Sequence, residues 1–378
     1  MSDSPQATES VSSQSPPNDL LLVVFIHGFK GTDETFAQFP GRLQHVLSET
    51  VSSVVVESTV FPQYETKGEL TAAVIRFADW LTNLTVEREV QHGVGGGAGK
   101  AKIVLCGHSM GGLLAADVLI EFVRTRPDQF APLWPNIIAC LAFDTPYFGV
   151  HPFVFKNSAA QAAGYVRSAK EVFTGFQSFT SKSASTSVPA GPPIAAPPTA
   201  QTSISTSGWS KWAPAAYTIG GALLAGAAAG TAYYKREDLG FGYKWVTDHM
   251  RYVGTLWDDA TLQRRVDRLV ELEQEMGVVF RTFYTYLPPS PPAHPSARTF
   301  IVQPRSPRHA DHFIRAPNSL AADEIQAHVG MFGSKTNDGY YELGLITAQF
   351  IRDALNASRA RVDEGADPAH LTEAAHGS

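Results

Sequence analysis

The chain alternates between short continuous apolar runs and longer stretches with apolar residues at helical spacing. Leu20 to Ile26 (LLLVVFI) is an unbroken, partly β-branched run stopped by His27-Gly28, the pattern of a strand buried on both faces. A helical stretch around Thr35 to Leu47 and a second strand over Ser53 to Phe61 follow. Glu69 to Glu87 repeats Leu70, Val74, Phe77, Trp80, Leu81 and Leu84 at helical intervals. After the glycine-rich 94–99 loop, Lys102 to Cys106 reads as a third strand, Gly111 to Arg124 as a helix and Ile137 to Phe143 as a fourth strand. This alternation predicts an α/β fold, a mostly parallel sheet with helices on both faces.

The rhythm stops at about Tyr147 and resumes at Val278. Between them lie an almost uncharged Ser/Thr/Ala/Pro-rich stretch, Ser178 to Gly208, and a charge-free apolar run, Trp212 to Tyr234. An amphipathic helix follows over Asp258 to Met276, with Gly277 as its stop. Strands are expected at Val278 to Tyr286 and Thr299 to Gln303, and a closing helix at Tyr340 to Ala357. The predicted organisation is a disordered tail (1–19), a first core segment (20–146), a long helical and low-complexity insertion (147–277), a second core segment (278–358) and a polar tail (359–378).

Composition narrows the function classes. Hydrophobic residues make up 44% of the 378, enough for a sizeable core. Charged residues make up only 17%, below the roughly 25% of an average domain, which fits an apolar or low-complexity insertion. A net charge of −6 gives no basic field for nucleic acid. Two cysteines, Cys106 and Cys140, cannot build a disulfide framework and are expected to be buried space-fillers. The first 19 residues lack the basic and apolar regions of a secretory signal, so an intracellular protein is expected, cytoplasmic or at a membrane surface.

The chemistry concentrates at Gly107-His108-Ser109-Met110-Gly111, a G-x-S-x-G sequence entered by a strand and left by a helix. A serine on such a turn sits in strained backbone at the carboxyl edge of the sheet, and the flanking glycines make room for the strand and helix that cross there. A serine hydroxyl needs a base to take its proton and donors for the oxyanion it creates. His27-Gly28-Phe29 ends the first strand beside that turn, so the amides of Phe29 and Met110 are the expected oxyanion donors.

FIHGFKG followed by GHSMGG resembles the α/β-hydrolase superfamily, in particular its serine esterase and lipase-like members with an HG-x oxyanion loop. LAFDTPYFGVHP and DEIQAHVGMF are similar to uncharacterised fungal members related to serine esterases. The resemblance covers Leu20 to Phe148 and Val278 to Ala357 in segments and implies the order nucleophile, acid, histidine. It places the base at His328, shortly before the closing helix, ahead of His309 and His312, which lie in a charged, Pro-flanked loop. Those two form an H-x-x-H pair, but no Cys/His/Asp cluster accompanies them, so no metal or organic cofactor is implied. The acid is less clear, because Tyr284 to Pro288, where the family often carries it, has no carboxylate. Asp144, ending the strand after the serine helix, is the first candidate, with Asp323 and Asp311 as alternatives whose bland reading is a helix or turn cap.

The expectation is a Ser-His-Asp hydrolase of carboxylic esters, with a lipidic or hydrophobic acyl substrate suggested by the insertion. The rivals are a catalytically silent membrane-associated scaffold and a thioesterase or peptidase using the same triad. Serine at the turn argues against chemistry in which a carboxylate attacks. Trp212 to Tyr234 has the length of a membrane span and aromatic ends. One crossing there would put Ser109 and His328 on opposite sides of a bilayer, so a lid or a helix on the membrane surface is the expected use.

Overall fold

The computed structural model describes residues 19–28, 31–64, 70–93, 100–154 and 259–366. The low-complexity stretch, the 212–234 run, the 94–99 loop, the outer parts of both tails and Phe29 lie outside them. Seven strands form one sheet: β1 (Asp19–Ile26), β2 (Val54–Val60), β3 (Ala101–His108), β4 (Asn136–Phe143), β5 (Val279–Leu287), β6 (Arg298–Thr299) and β7 (Phe313–Pro317). The order is β2-β1-β3-β4-β5, all parallel, with β7 parallel to β5 and the two-residue β6 antiparallel to its end. The helices are α1 (Phe39–Thr50), α2 (Leu70–Gln91), α3 (Met110–Arg124), α4 (Asp259–Met276), the one-turn α5 (Pro307–Ala310), α6 (Glu324–Val329) and α7 (Tyr340–Ala366).

The unbroken apolar run of β1 has a direct structural reason. Leu20, Leu22, Val24 and Ile26 face a core shared with α2, α3 and α4, while Leu21, Val23 and Phe25 face one shared with α1 and α7. A central parallel strand covered on both sides has no solvent face for polar residues. Cys106 and Cys140 are buried free thiols on opposite faces of this sheet.

The chain runs from β1 outward to β2 and then crosses back to β3 on the other side of β1. This reversal makes the β1/β3 boundary a topological switch point, where the loops at the carboxyl ends diverge and leave a crevice. Ile26 is level with Gly107 and Phe143 with His108, so the exits of β1, β3 and β4 lie side by side.

Three expectations need correction. The amphipathic helix α4, grouped by sequence with the insertion, buries Leu262, Val266, Leu269 and Leu272 in the core with α3. Arg265 ties it down through two bonds to Asp117, at 2.6 and 2.9 Å. Among the described residues the core therefore resumes with α4 at Asp259 rather than at Val278. The tail boundaries also shift, because Asp19 already belongs to β1 and α7 runs on to Ala366. Arg359 donates to Asp19 at 2.7 Å, so the last helix closes over the start of the first strand. Strand β7 and helix α6 have no counterpart in the sequence reading, and the strand expected over Thr299 to Gln303 is only β6 and an isolated bridge at Ile301.

If α4 is core, Leu269→Ala will destabilise the protein by about 2–5 kcal/mol, as truncation of a fully buried leucine does. Chemical denaturation followed by tryptophan fluorescence measures this; a loss below about 0.5 kcal/mol would return α4 to the periphery.

Candidate active site

The turn between β3 and α3 is packed too tightly for side chains at its glycines. A Cβ on Gly107 would lie 2.5 Å from the Gly111 carbonyl oxygen, and one on Gly111 would lie 2.1 Å from the Ile26 carbonyl oxygen. One on Gly112 would meet Thr145 Oγ1 at 2.0 Å. The strand, the helix and β1 therefore approach at backbone distance. Ser109, at the apex, has φ 56° and ψ −126°, a conformation that costs an L residue on the order of 1–3 kcal/mol. Its N–H donates to the Phe143 carbonyl at 2.9 Å, which ties the turn to the end of β4. The Ser109 hydroxyl is buried and makes no hydrogen bond in the structure.

Gly28 faces this turn. A Cβ there would come within 2.7 Å of Ser109 Cβ and 3.2 Å of the Met110 nitrogen. Met110 opens α3, so its amide belongs to the first turn, where a helix has no internal acceptor to offer. His27, one residue earlier, is buried, stacks on Tyr64 at 4.9 Å and accepts the Tyr64 hydroxyl on its carbonyl at 2.9 Å. Burial pulls its imidazole below the ordinary histidine range. His27 and Gly28 are thus rigid parts of the β1 exit. Phe29, the other expected donor, lies outside the described residues.

The acid and the base meet. His328 Nδ1 lies 2.7 Å from Asp144 Oδ2, and both side chains are fully buried. Asp144 sits at the tip of β4 with φ 50°. Its Oδ1 accepts the Thr285 N–H and its Oδ2 the Thr285 hydroxyl, both at 2.9 Å. Burial pushes the Asp144 carboxyl above the usual range, and the two Thr285 donors act against that shift. Burial likewise holds the His328 imidazole well below its ordinary value, so the ring is neutral near pH 7. His108, the residue before Ser109, donates from Nε2 to the His328 carbonyl at 3.1 Å, linking the serine turn to α6 across 220 positions.

The alternatives find other work. Asp323 caps α6 by accepting the Gln326 N–H at 2.8 Å, and Asp311 is an exposed residue at the end of α5. His309 is buried, 2.8 Å from Asp267, and His312 Nδ1 is 3.2 Å from Glu273. His328 belongs to the short helix α6, and the parallel strand ahead of it is β7. Thr285 escaped the sequence reading altogether; its signal was a hydroxyl on a buried strand where a carboxylate was sought.

The strained serine turn and the buried carboxylate–histidine pair thus lie together at the carboxyl end of a mostly parallel sheet covered by helices. Residues 16–172 match the model of a family described as "Putative serine esterase (DUF676)", a span that includes Gly28, Ser109 and Asp144 and ends before His328. No curated protein matches. Among solved structures, the chain is similar to phospholipase PlaB from Legionella pneumophila at 11% identity, covering 34% of this chain and 26% of that one, with a TM-score of 0.25. It is also similar to the RedJ thioesterase from the prodiginine biosynthetic pathway in Streptomyces coelicolor, at 20% identity over 38% and 50% of the two chains, TM-score 0.22. A cutinase-like protein from Cryptococcus sp. has 11% identity over 36% and 58%, TM-score 0.23. The chain spans about a quarter of the length of the phospholipase and about half that of the thioesterase.

Gly111→Ala should abolish the soluble fold, since no shift of a side chain can clear a carbonyl oxygen of β1. Gly41→Ala is the control, having nothing within 4 Å and a helical backbone that favours alanine. Thermal melts of the two would read the contrast; a normal cooperative transition for Gly111→Ala would refute the packing argument.

Proposed function

We propose, taking a serine-hydrolase site as the premise, that this protein hydrolyses carboxylic esters through a Ser109-His328-Asp144 triad. The observation that carries the reading is the buried 2.7 Å bond between Asp144 and His328 beside the strained Ser109 turn. In this mechanism Ser109 Oγ attacks the ester carbonyl carbon while His328 Nε2 takes the hydroxyl proton. The carbonyl oxygen becomes an oxyanion, bound by the amides of Met110 and Phe29. Collapse of the tetrahedral intermediate breaks the bond to the alkoxy group, which leaves with the proton from His328. Water, deprotonated by the same nitrogen, then attacks the acyl-enzyme and releases the acid and Ser109.

Asp144 holds Nδ1 protonated, so Nε2 is the nitrogen that can act as base, and it stabilises the imidazolium as that forms. It can do so because its other lone pairs are already occupied by Thr285. Neutral His328 at rest is the protonation state a base requires. The site uses no metal or organic group in any of these steps. A hydrophobic acyl chain is the proposed substrate class, on the composition of the weakly charged insertion. The 212–234 run is its candidate contact with a lipid surface; among the described residues no helix is long and apolar enough to cross a membrane.

The silent-scaffold reading drew its support from the absence of an acid after β5. The buried Asp144–His328 bond weighs against it, and esters and thioesters are both candidate substrates.

A fluorophosphonate probe should label the wild type and not Ser109→Ala; equal labelling of both would end the enzyme reading. A panel of p-nitrophenyl esters of increasing chain length, with an acyl thioester alongside, sorts the substrate class. Asp144→Asn should lower kcat on the order of 10³–10⁴-fold while the protein stays folded. The pH profile has a defined sign as well. A depressed imidazole pKa keeps the base neutral to lower pH, so the acidic limb of kcat/KM should lie below about 6.5, the free histidine value. A limb at or above that value would contradict a buried base.

A further inference from the structure

The His328 ring touches more than its carboxylate. Phe300 lies nearly flat on it, with centroids 3.8 Å apart and planes 19° apart. His108 approaches at 4.5 Å and 32°. Two rings so close and so nearly parallel have no room to lie side by side on one face, so they take opposite faces of the imidazole.

Each plate is anchored separately. His108 ends β3, and its Nε2–H is bonded to the His328 carbonyl. Phe300, itself 1% exposed, follows the two residues of β6 that pair with the end of β5. Its carbonyl accepts the His151 N–H at 2.8 Å, and the Val302 N–H donates to Gly149 at 2.9 Å. A strap from beyond β5 and the segment leaving β4 are thereby stitched together at the ring.

One hydrogen bond does not fix an imidazole. The Cβ–Cγ torsion of histidine is broad, so a hydrogen bond at Nδ1 leaves the ring free to tilt and to swing Nε2. A flat neighbour removes that freedom, and a carbon ring does so without competing for the proton Nε2 must take. We propose that Phe300 is a positioning residue for His328, clamping the imidazole against His108 so that the ring, and with it Nε2, keeps one orientation beside the serine turn. The role rests on the serine-hydrolase reading.

The test is Phe300→Leu, which keeps apolar volume but removes the plane, with Phe300→Tyr as the conservative rescue. Hydrolysis of p-nitrophenyl butyrate should show kcat lowered about ten- to a hundredfold in Phe300→Leu with KM little changed. The acidic limb should move up toward the ordinary histidine range as the ring gains water, and Phe300→Tyr should recover most of both. The titratable groups in contact with His328 are left in place by the change, Asp144 from β4 and His108 from β3, and Glu324 on its own helix is paired with Arg298 of β6 at 3.5 Å. Wild-type kcat and limb in Phe300→Leu, or a Phe300→Tyr as slow as the leucine variant, overturns the proposal. Long-range ¹H–¹⁵N spectra of the His328 ring give an answer that does not depend on turnover. One sharp tautomer in the wild type and a broadened or averaged ring in Phe300→Leu supports the clamp, whereas identical spectra refute it. Failure of the probe to label wild-type Ser109 would sink the hydrolase reading separately, leaving the ring spectra to decide the clamp.

Discussion

A carboxylate taken wholly out of water is the constraint around which this end of the molecule is arranged. Asp144 has no exposed surface, and an uncompensated charge in that position would cost several kcal/mol. Three donors relieve it: the Thr285 amide, the Thr285 hydroxyl and His328 Nδ1. They come from two elements far apart in sequence, β5 and α6, and both must reach β4 for the charge to be satisfied. The closure of α6 onto the sheet is thus an electrostatic requirement as much as a packing one.

Much of this was legible from the order of residues. A strand buried on both faces must be apolar throughout, which is why β1 could be recognised from seven consecutive hydrophobic residues. The serine turn could be recognised because its geometry admits only glycine at Gly107 and Gly111. Asp144 and His328 were reached by elimination and resemblance, and the structure brings them into contact. Less visible were the short and mixed elements. β7 is five residues at the sheet edge, half exposed and ending in proline, so it carries neither alternation nor a continuous apolar run. α6 has six residues, too few to display a helical period, and only its Asp323 cap marks its start. The helix α4 was assigned to the insertion because chain order is a poor guide to what packs together. Its fully buried leucines and its bonds to Asp117 are long-range facts.

Burial unites the site in a second sense. Ser109, Asp144 and His328 are each 2% exposed or less, so donors and charges there act in a medium of low polarity, where their mutual influence is greatest. The same burial depresses the basicity of His328 and holds it uncharged near neutral pH. A more open arrangement would screen the carboxylate and weaken its hold on the ring.

Ser109 and Asp144 share a backbone feature: each follows a parallel strand with φ near +50°, and each amide reaches across to a carbonyl of the neighbouring strand, Phe143 and Phe283 respectively. Such a conformation shuts out side chains branched at Cβ. Threonine would offer the same hydroxyl as serine, yet its extra methyl could not be housed at that bend. The vocabulary open to these two posts is therefore short, confined to glycine and to small residues unbranched at Cβ. Any other functional group at either post would have to be spelled with those few letters.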